Sequence, residues 1–238
     1  DLIKQFEATD KIVTALFKED RYSYEYFDWL APTTTMADIV SAFEEVEKLK
    51  DGSIKSSLKN DVENAEYIYK RNVGPSKVIS AANSLLETLT TTTDTAVVKS
   101  SYDSFKTEMC DIFYNVKAPL LKEYADELAK GTVNTYDEML AVIEKINKDN
   151  IEIVNDFNLI NSTIDLLFIF EGDSIKLNLS DTWVTFDNLA EIDRRLAAFS
   201  EKRGIIDVER LFGWFKLAKD MLKQFDTIIP TVVEKSKH

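Results

Sequence analysis

The 238-residue sequence predicts an all-α protein: an elongated antiparallel helical bundle of about seven to nine helices around one long (~35-residue) central helix. Three observations carry that expectation. First, apolar residues recur at gaps of three and four from Tyr136 through Met139, Ile143, Ile146, Ile153, Phe157, Ile160 and Ile164 to Leu167, with Asn150 the one polar residue in the stripe. Gaps averaging ~3.5 residues keep such a stripe on one side of a helix, which would then run for roughly 48 Å. Second, Val98–Val116, Phe186–Phe199 and Val208–Ile229 repeat the same period. Third, six Gly and four Pro are too few to punctuate the short strands of a turn-rich β architecture.

The elements follow from the N-terminus. Leu2, Phe6, Thr9, Val13 and Leu16 share one helical stripe, and the aromatic stretch Tyr22–Trp29 comes after it. Thr33, Thr34 and Thr35 offer N-caps for a helix over 36–50, which Asp51-Gly52 ends. A polar helix then runs to about Asn72, where Gly74-Pro75 predicts a turn. A short amphipathic helix over 76–89 leads to the Thr90–Thr93 loop, with Asp94 as a cap for the helix bearing Val98, Tyr102, Phe105, Met109 and Ile112. Pro119 breaks that helix near Lys117, and a continuation with Leu121, Tyr124 and Leu128 ends at Lys130-Gly131.

Thr135 or Asn134 caps the long helix, with Asp137 and Glu138 complementing its dipole. Glu171-Gly172-Asp173 closes it, and Ser174–Leu179 is short and could be extended, although six residues alone cannot make a sheet. Asp181 caps the next helix, Lys202-Arg203-Gly204 finishes it, and Pro230 stops the last. One domain over 1–238 is expected. Thr90–Thr93 is the candidate subdivision, between shorter polar helices over 1–90 and a long-helix bundle over 94–230. Apolar residues at e-type positions of the long stripe (Leu140, Val154, Phe168) suit a helix with several intrachain neighbours better than a dimeric coiled coil. A monomer is expected.

A formal net charge of −13 argues against nucleic-acid partners, whose affinity rests on Lys and Arg contacts to phosphate, and against anionic membrane surfaces. No apolar run approaches the ~18 residues of a membrane span. Cys110 is the one cysteine and, set between Met109 and Ile112, reads as a buried structural thiol. The chain opens at Asp1 without Met, as either a processed mature protein or a trimmed chain would, so the compartment stays open, with a secreted mature chain slightly favoured over a cytoplasmic one. The sequons at Asn161 and Asn178 decide nothing, since roughly two are expected by chance.

Catalytic chemistry finds few carriers. His238, the last residue, is the only histidine, which removes His-based acid–base work, serine-type triads and most zinc or haem ligand sets. The acidic groups Glu44, Glu45, Glu47 and Glu123, Asp126, Glu127 read as solvated helix faces, and Glu191 has helix spacing to Arg194 and Arg195 for surface ion pairs. No enzyme, metal or cofactor is expected.

Three features remain as candidate sites. Tyr22, Tyr24, Tyr26, Phe27 and Trp29 could form an interaction patch, or fold over the bundle end and close the core. Asn150 could be a buried residue that fixes register. Leu166, Leu167, Phe168, Ile169 and Phe170, apolar on all sides of a helix, could be core or a membrane-active tip. The expected function is non-catalytic: a helical-bundle binding or interaction protein that meets another protein. The alternatives are a membrane-active, pore-forming or toxin-like bundle, or a carrier of an apolar ligand between helices, which the 14 Phe could line.

Overall fold

A computed structural model describes residues 2–18, 30–171, 174–178, 186–202 and 204–235, with the backbone alone for 186–188 and 225–235. The molecule is 78% helical and carries one small two-stranded sheet. In chain order the elements are α1 (Leu2–Ala15), α2 (Met36–Glu47), α3 (Ser53–Ile68), α4 (Gly74–Thr91), α5 (Thr95–Ile112), α6 (Leu121–Leu128), α7 (Tyr136–Asp149), α8 (Ile151–Leu166), β1 (Phe168–Glu171), β2 (Ser174–Leu177), α9 (Phe186–Ala197) and α10 (Ile206–Lys235). A π-helical turn, Tyr69–Val73, joins α3 to α4, so that among the described residues nine helices form, one of them 39 residues long.

Local chemistry sets the helix starts. Thr35 caps α2 in a reciprocal box with Asp38, and Thr135 caps α7 in the same way with Glu138. Asp94 accepts from the backbone N–H groups of Ala96 and Val97 at the start of α5. The short Thr92–Asp94 connection folds α5 back against α4, so that Gly74 at the start of α4 meets Ile112 at the end of α5.

The long helix lies elsewhere than the stripe at 136–167 predicts. That segment is two helices abutting at Asn150, whose φ of −115° and ψ of 27° leave the helical region. Its side-chain Nδ2 donates to the Ile146 carbonyl at 2.9 Å, the same oxygen its own backbone N–H uses at 3.0 Å. Side-chain competition of this kind is why Asn favours helix ends. The inward face shifts across the break: Met139, Ile143 and Asn147 are buried before it, Val154, Phe157, Ile160 and Ile164 after it.

The predicted turn at Gly74-Pro75 is instead the middle of the 39-residue helix. Pro75 removes one N–H from the ladder, and the wider π turn before it accommodates the loss, with the Gly74 N–H donating to the Tyr69 carbonyl. Glycine is needed there for room: a Cβ on Gly74 would lie 2.4 Å from Ile112 Cδ1.

Pro119 breaks the α5 segment as expected, in a 3₁₀ turn over Ala118–Leu120 ahead of α6, although α5 already ends at Ile112. Pro230 does not stop α10, which continues to Lys235. Cys110 is exposed, against expectation, because Met109 and Ile112 take the inward positions of α5 and the intervening residue turns outward. One apolar core runs through the molecule from Val13 in α1 to Leu222 in α10.

Candidate functional site: an apolar hairpin

The Leu166–Phe170 segment leaves the helical state. Leu166 ends α8, Leu167 turns, and Phe168–Glu171 pairs antiparallel with Ser174–Leu177 in the register Phe168 to Leu177, Ile169 to Lys176, Phe170 to Ile175 and Glu171 to Ser174. Two four-residue runs separated by Gly172-Asp173 are a hairpin signal, hidden within the apolar helix pattern that precedes them. At the base, the Asn178 N–H donates to the Leu167 carbonyl at 2.8 Å and Asn178 Nδ2 to the Leu166 carbonyl at 3.3 Å.

Alternation along the strands sorts the side chains into two faces. Phe168, Phe170, Ile175 and Leu177 share one face, directed at Trp214 of α10. The ring centroids of Phe168 and Phe170 lie 5.2 and 5.9 Å from that of Trp214. Ile169 and the Glu171–Lys176 ion pair occupy the opposite face. Burial divides the hairpin along its length. Leu167, Phe168 and Leu177 are inside the core, whereas Phe170 is 60% exposed; Leu166, the last residue of α8, is exposed at the base. Ile169 and Ile175 are each 38% exposed. The pairs Phe170–Ile175 and Ile169–Lys176 therefore carry apolar side chains in water on both faces of the ribbon.

The other predicted candidates fall differently. Tyr22, Tyr24, Tyr26, Phe27 and Trp29 lie outside the described residues, as does His238. Asn150 sits half-buried at the α7–α8 junction, bonded to its own helix. The buried polar residue of that region is Asn147, which the period did not single out because it lies one step off the stripe. Its Oδ1 accepts from the Tyr124 hydroxyl and its Nδ2 donates to the Asn115 carbonyl at 2.9 Å. The Lys117 N–H donates to the same Tyr124 oxygen at 3.1 Å. Burial pushes the Tyr124 hydroxyl up to about 12, so it stays a donor in this network. The arrangement anchors the 113–117 connection to α6 and α7, with no reacting group in it.

A second cluster gathers at the π turn. The Arg71 guanidinium lies 4.8 Å from the Tyr67 ring and 5.0 Å from that of Tyr136, and pairs with Asp137 at 2.7 Å. Tyr136 stacks in turn on Phe113 at 5.2 Å. This cation–π stack ties α3 to α7 across the bundle. Of the acidic groups, Glu191 holds Arg194 and Arg195, which keep its carboxyl down at about 2. Glu123 pairs with Lys202, joining α6 to the connection before α10.

Two open grooves accompany these features. One of about 780 Å³ runs between α4 and α5, walled by Ser80, Ser84, Ser100 and Ser104. The other, about 740 Å³, is lined by Thr93, Thr95, Lys99 and Glu209. Among the described residues no group of His, Cys, Asp and Glu is arranged to hold a metal, and no helix is long and apolar enough to cross a membrane. No family model, curated protein or solved structure matches this chain.

Proposed function

We propose that the protein is a non-catalytic helical bundle that acts by presenting its β1–β2 hairpin to an apolar partner surface. The observation that carries this reading is the exposure of Ile169, Phe170 and Ile175 together on the two paired strands. Isolated exposed apolar residues are common on soluble proteins, whereas contiguous ones mark contact sites. Phe168 and Trp214 give the element a fixed aromatic base, so little ordering is required when a partner covers its end.

A photo-crosslinking amino acid placed at Phe170 in the full chain tests the reading, with Val40, an exposed apolar residue on α2, as the control position. Adducts formed in material from the protein's own source are expected to concentrate at Phe170. Equal yields at the two positions would remove the hairpin from the role of contact element.

A further inference from the structure

We infer that α10 joins two copies of this chain into a symmetric antiparallel dimer. The first ground is a glycine that the single chain does not explain. Gly213 lies inside α10, yet a Cβ there would meet nothing within 4 Å, and its φ is not positive. Gly74 is held to glycine by Ile112, but neither space nor backbone conformation asks for one at position 213. Glycine weakens a helix more than any residue except proline. What it supplies here is an open place where a second backbone can come close.

The positions around it supply the second ground. Ile206, Arg210, Gly213, Leu217, Asp220 and Gln224 recur at gaps of four and three, which sets them on one face of α10. Leu211, Phe215, Ala218 and Leu222 take the opposite face and are buried, while the stripe from Arg210 to Gln224 is exposed. The stripe at 136–167, from which a monomer is expected, is largely spent inside the chain. This one faces outward.

Its chemistry is complementary to itself when reversed. Two copies of α10, antiparallel about a two-fold axis level with Phe215, set each Gly213 against Leu217 of the other copy. The same register sets each Arg210 against Asp220 and each Ile206 against Gln224. Two-fold symmetry repeats every contact, so a leucine enters the space beside both glycines and an ion pair forms at both ends. Arg210 donates to Asn161 Oδ1 at 2.8 Å, and a guanidinium has donors enough for that bond and for a carboxylate across the interface.

The alternatives are worse matched. A parallel pair would set Arg210 against Arg210 and Asp220 against Asp220. Sliding the antiparallel pair by a heptad sets Leu217 against Asp220, or Arg210 against Gly213. Charge and size thus select one direction and one register. The contact is small, since helices meeting over 206–224 run together for roughly 27 Å. Lys216 also faces its own copy across the axis, and the net charge of −13 sets one chain against another. A micromolar dimer is expected, at the lower end of specific interfaces. None of these positions lies on β1 or β2, so the pairing stands or falls apart from the hairpin's role.

Sedimentation equilibrium of the full chain at physiological salt, over roughly 1–500 μM, tests this. Wild type is expected to pass from monomer to dimer as concentration rises. Arg210→Asp alone and Asp220→Arg alone should each weaken the dimer by at least about tenfold, because like charges then meet across it. The two single variants mixed together should associate again, since every carboxylate then faces a guanidinium, and the double variant should do so by itself. Gly213→Leu should remove the dimer while keeping the helical signal in far-UV circular dichroism, and it keeps the test valid if a charge variant does not fold. A monomer throughout that range, an assembly larger than a dimer, a dimer indifferent to these substitutions, or single variants that stay apart on mixing would each overturn the inference.

Discussion

Asn147 shows how much rests on a single polar side chain inside a helical bundle. It is 8% exposed and serves two partners at once, the fully buried Tyr124 hydroxyl and the Asn115 carbonyl. Replacing it by alanine leaves the hydroxyl without its acceptor and the carbonyl without its donor. A buried polar group left unpaired costs about 1–3 kcal/mol, so Asn147→Ala is expected to lower the urea midpoint by that equivalent. Asn150→Ala loses only a half-buried bond within its own helix and should cost about 0.5 kcal/mol or less. Equal losses in the two variants would contradict this account of the network.

The same site sets a dependence on high pH. Burial raises Tyr102 and Tyr124 to about 12, and for Tyr102 the neighbouring Glu123 and Asp126 carboxylates add to the effect. An unfolded tyrosine titrates near ~10, so above that pH the unfolded chain gives up protons that the folded chain keeps. The stability contributed by these two groups is complete below ~10 and is lost as pH rises toward about 12. Absorbance at the phenolate band should show two tyrosines ionising only as the fold is lost. Ionisation of all nine in one early step, with the helical signal intact, would contradict it.

At the scale of elements, the join between α3 and α4 depends on a glycine chosen for space. Alanine is the better helix former by ~1 kcal/mol, yet a Cβ at position 74 would meet three atoms of Ile112, the nearest at 2.4 Å. Overpacking of this kind costs about 1–3 kcal/mol, so Gly74→Ala should destabilise on balance. Ile112→Ala removes the obstructing atoms, and in the double variant Gly74→Ala should become neutral or favourable. Additive losses in that cycle, measured by denaturant titration, would show that contact across α4 and α5 is not the reason for the glycine.

The elements also show where the sequence was legible. Helical periods located α5, α8 and α10, and the capping residues Thr35, Asp94 and Thr135 marked starts that the structure repeats. Positions 74–75 misled because a Gly-Pro pair is a local turn signal, while the π turn and the Ile112 contact that keep the helix going are set by a neighbouring helix. The hairpin misled for a related reason. Ile164–Phe170 reads as helix by composition, and only pairing with Ser174–Leu177 and stacking on Trp214 selects the extended state. Of the candidate site, Leu166, Ile169 and Phe170 were visible in advance, but Ile175 and Trp214 were not, since their part depends on register and on a helix far along the chain.

For the molecule as a whole, the excess of 42 acidic over 29 basic side chains makes the compact state self-repelling. Among the described residues several ion pairs, such as Lys122–Asp126 and Lys48–Glu45, are exposed, and pairs of that kind contribute little. Screening should therefore relieve more repulsion than the attraction it removes. The melting temperature is expected to rise as sodium chloride increases from low to physiological concentration, where the Debye length is about 8 Å. A fall would mean that inter-element pairs such as Lys106–Asp207, at 2.5 Å, outweigh the general repulsion.

The sequence by itself determined that this chain is helical, that its helices have one apolar side each, and that its surface is acidic. Those properties follow from composition and from periods of three and four, which are local. Tertiary structure decided which predicted breaks are real: Asn150 divides one helix, whereas Gly74-Pro75 lies inside another. It also decided that Phe168–Glu171 is a strand with an exposed end. The physical reason is common to all three. A helix end or a short apolar run differs from its alternatives by only about 1–3 kcal/mol of local preference, and contacts brought from distant parts of the chain are large enough to reverse it.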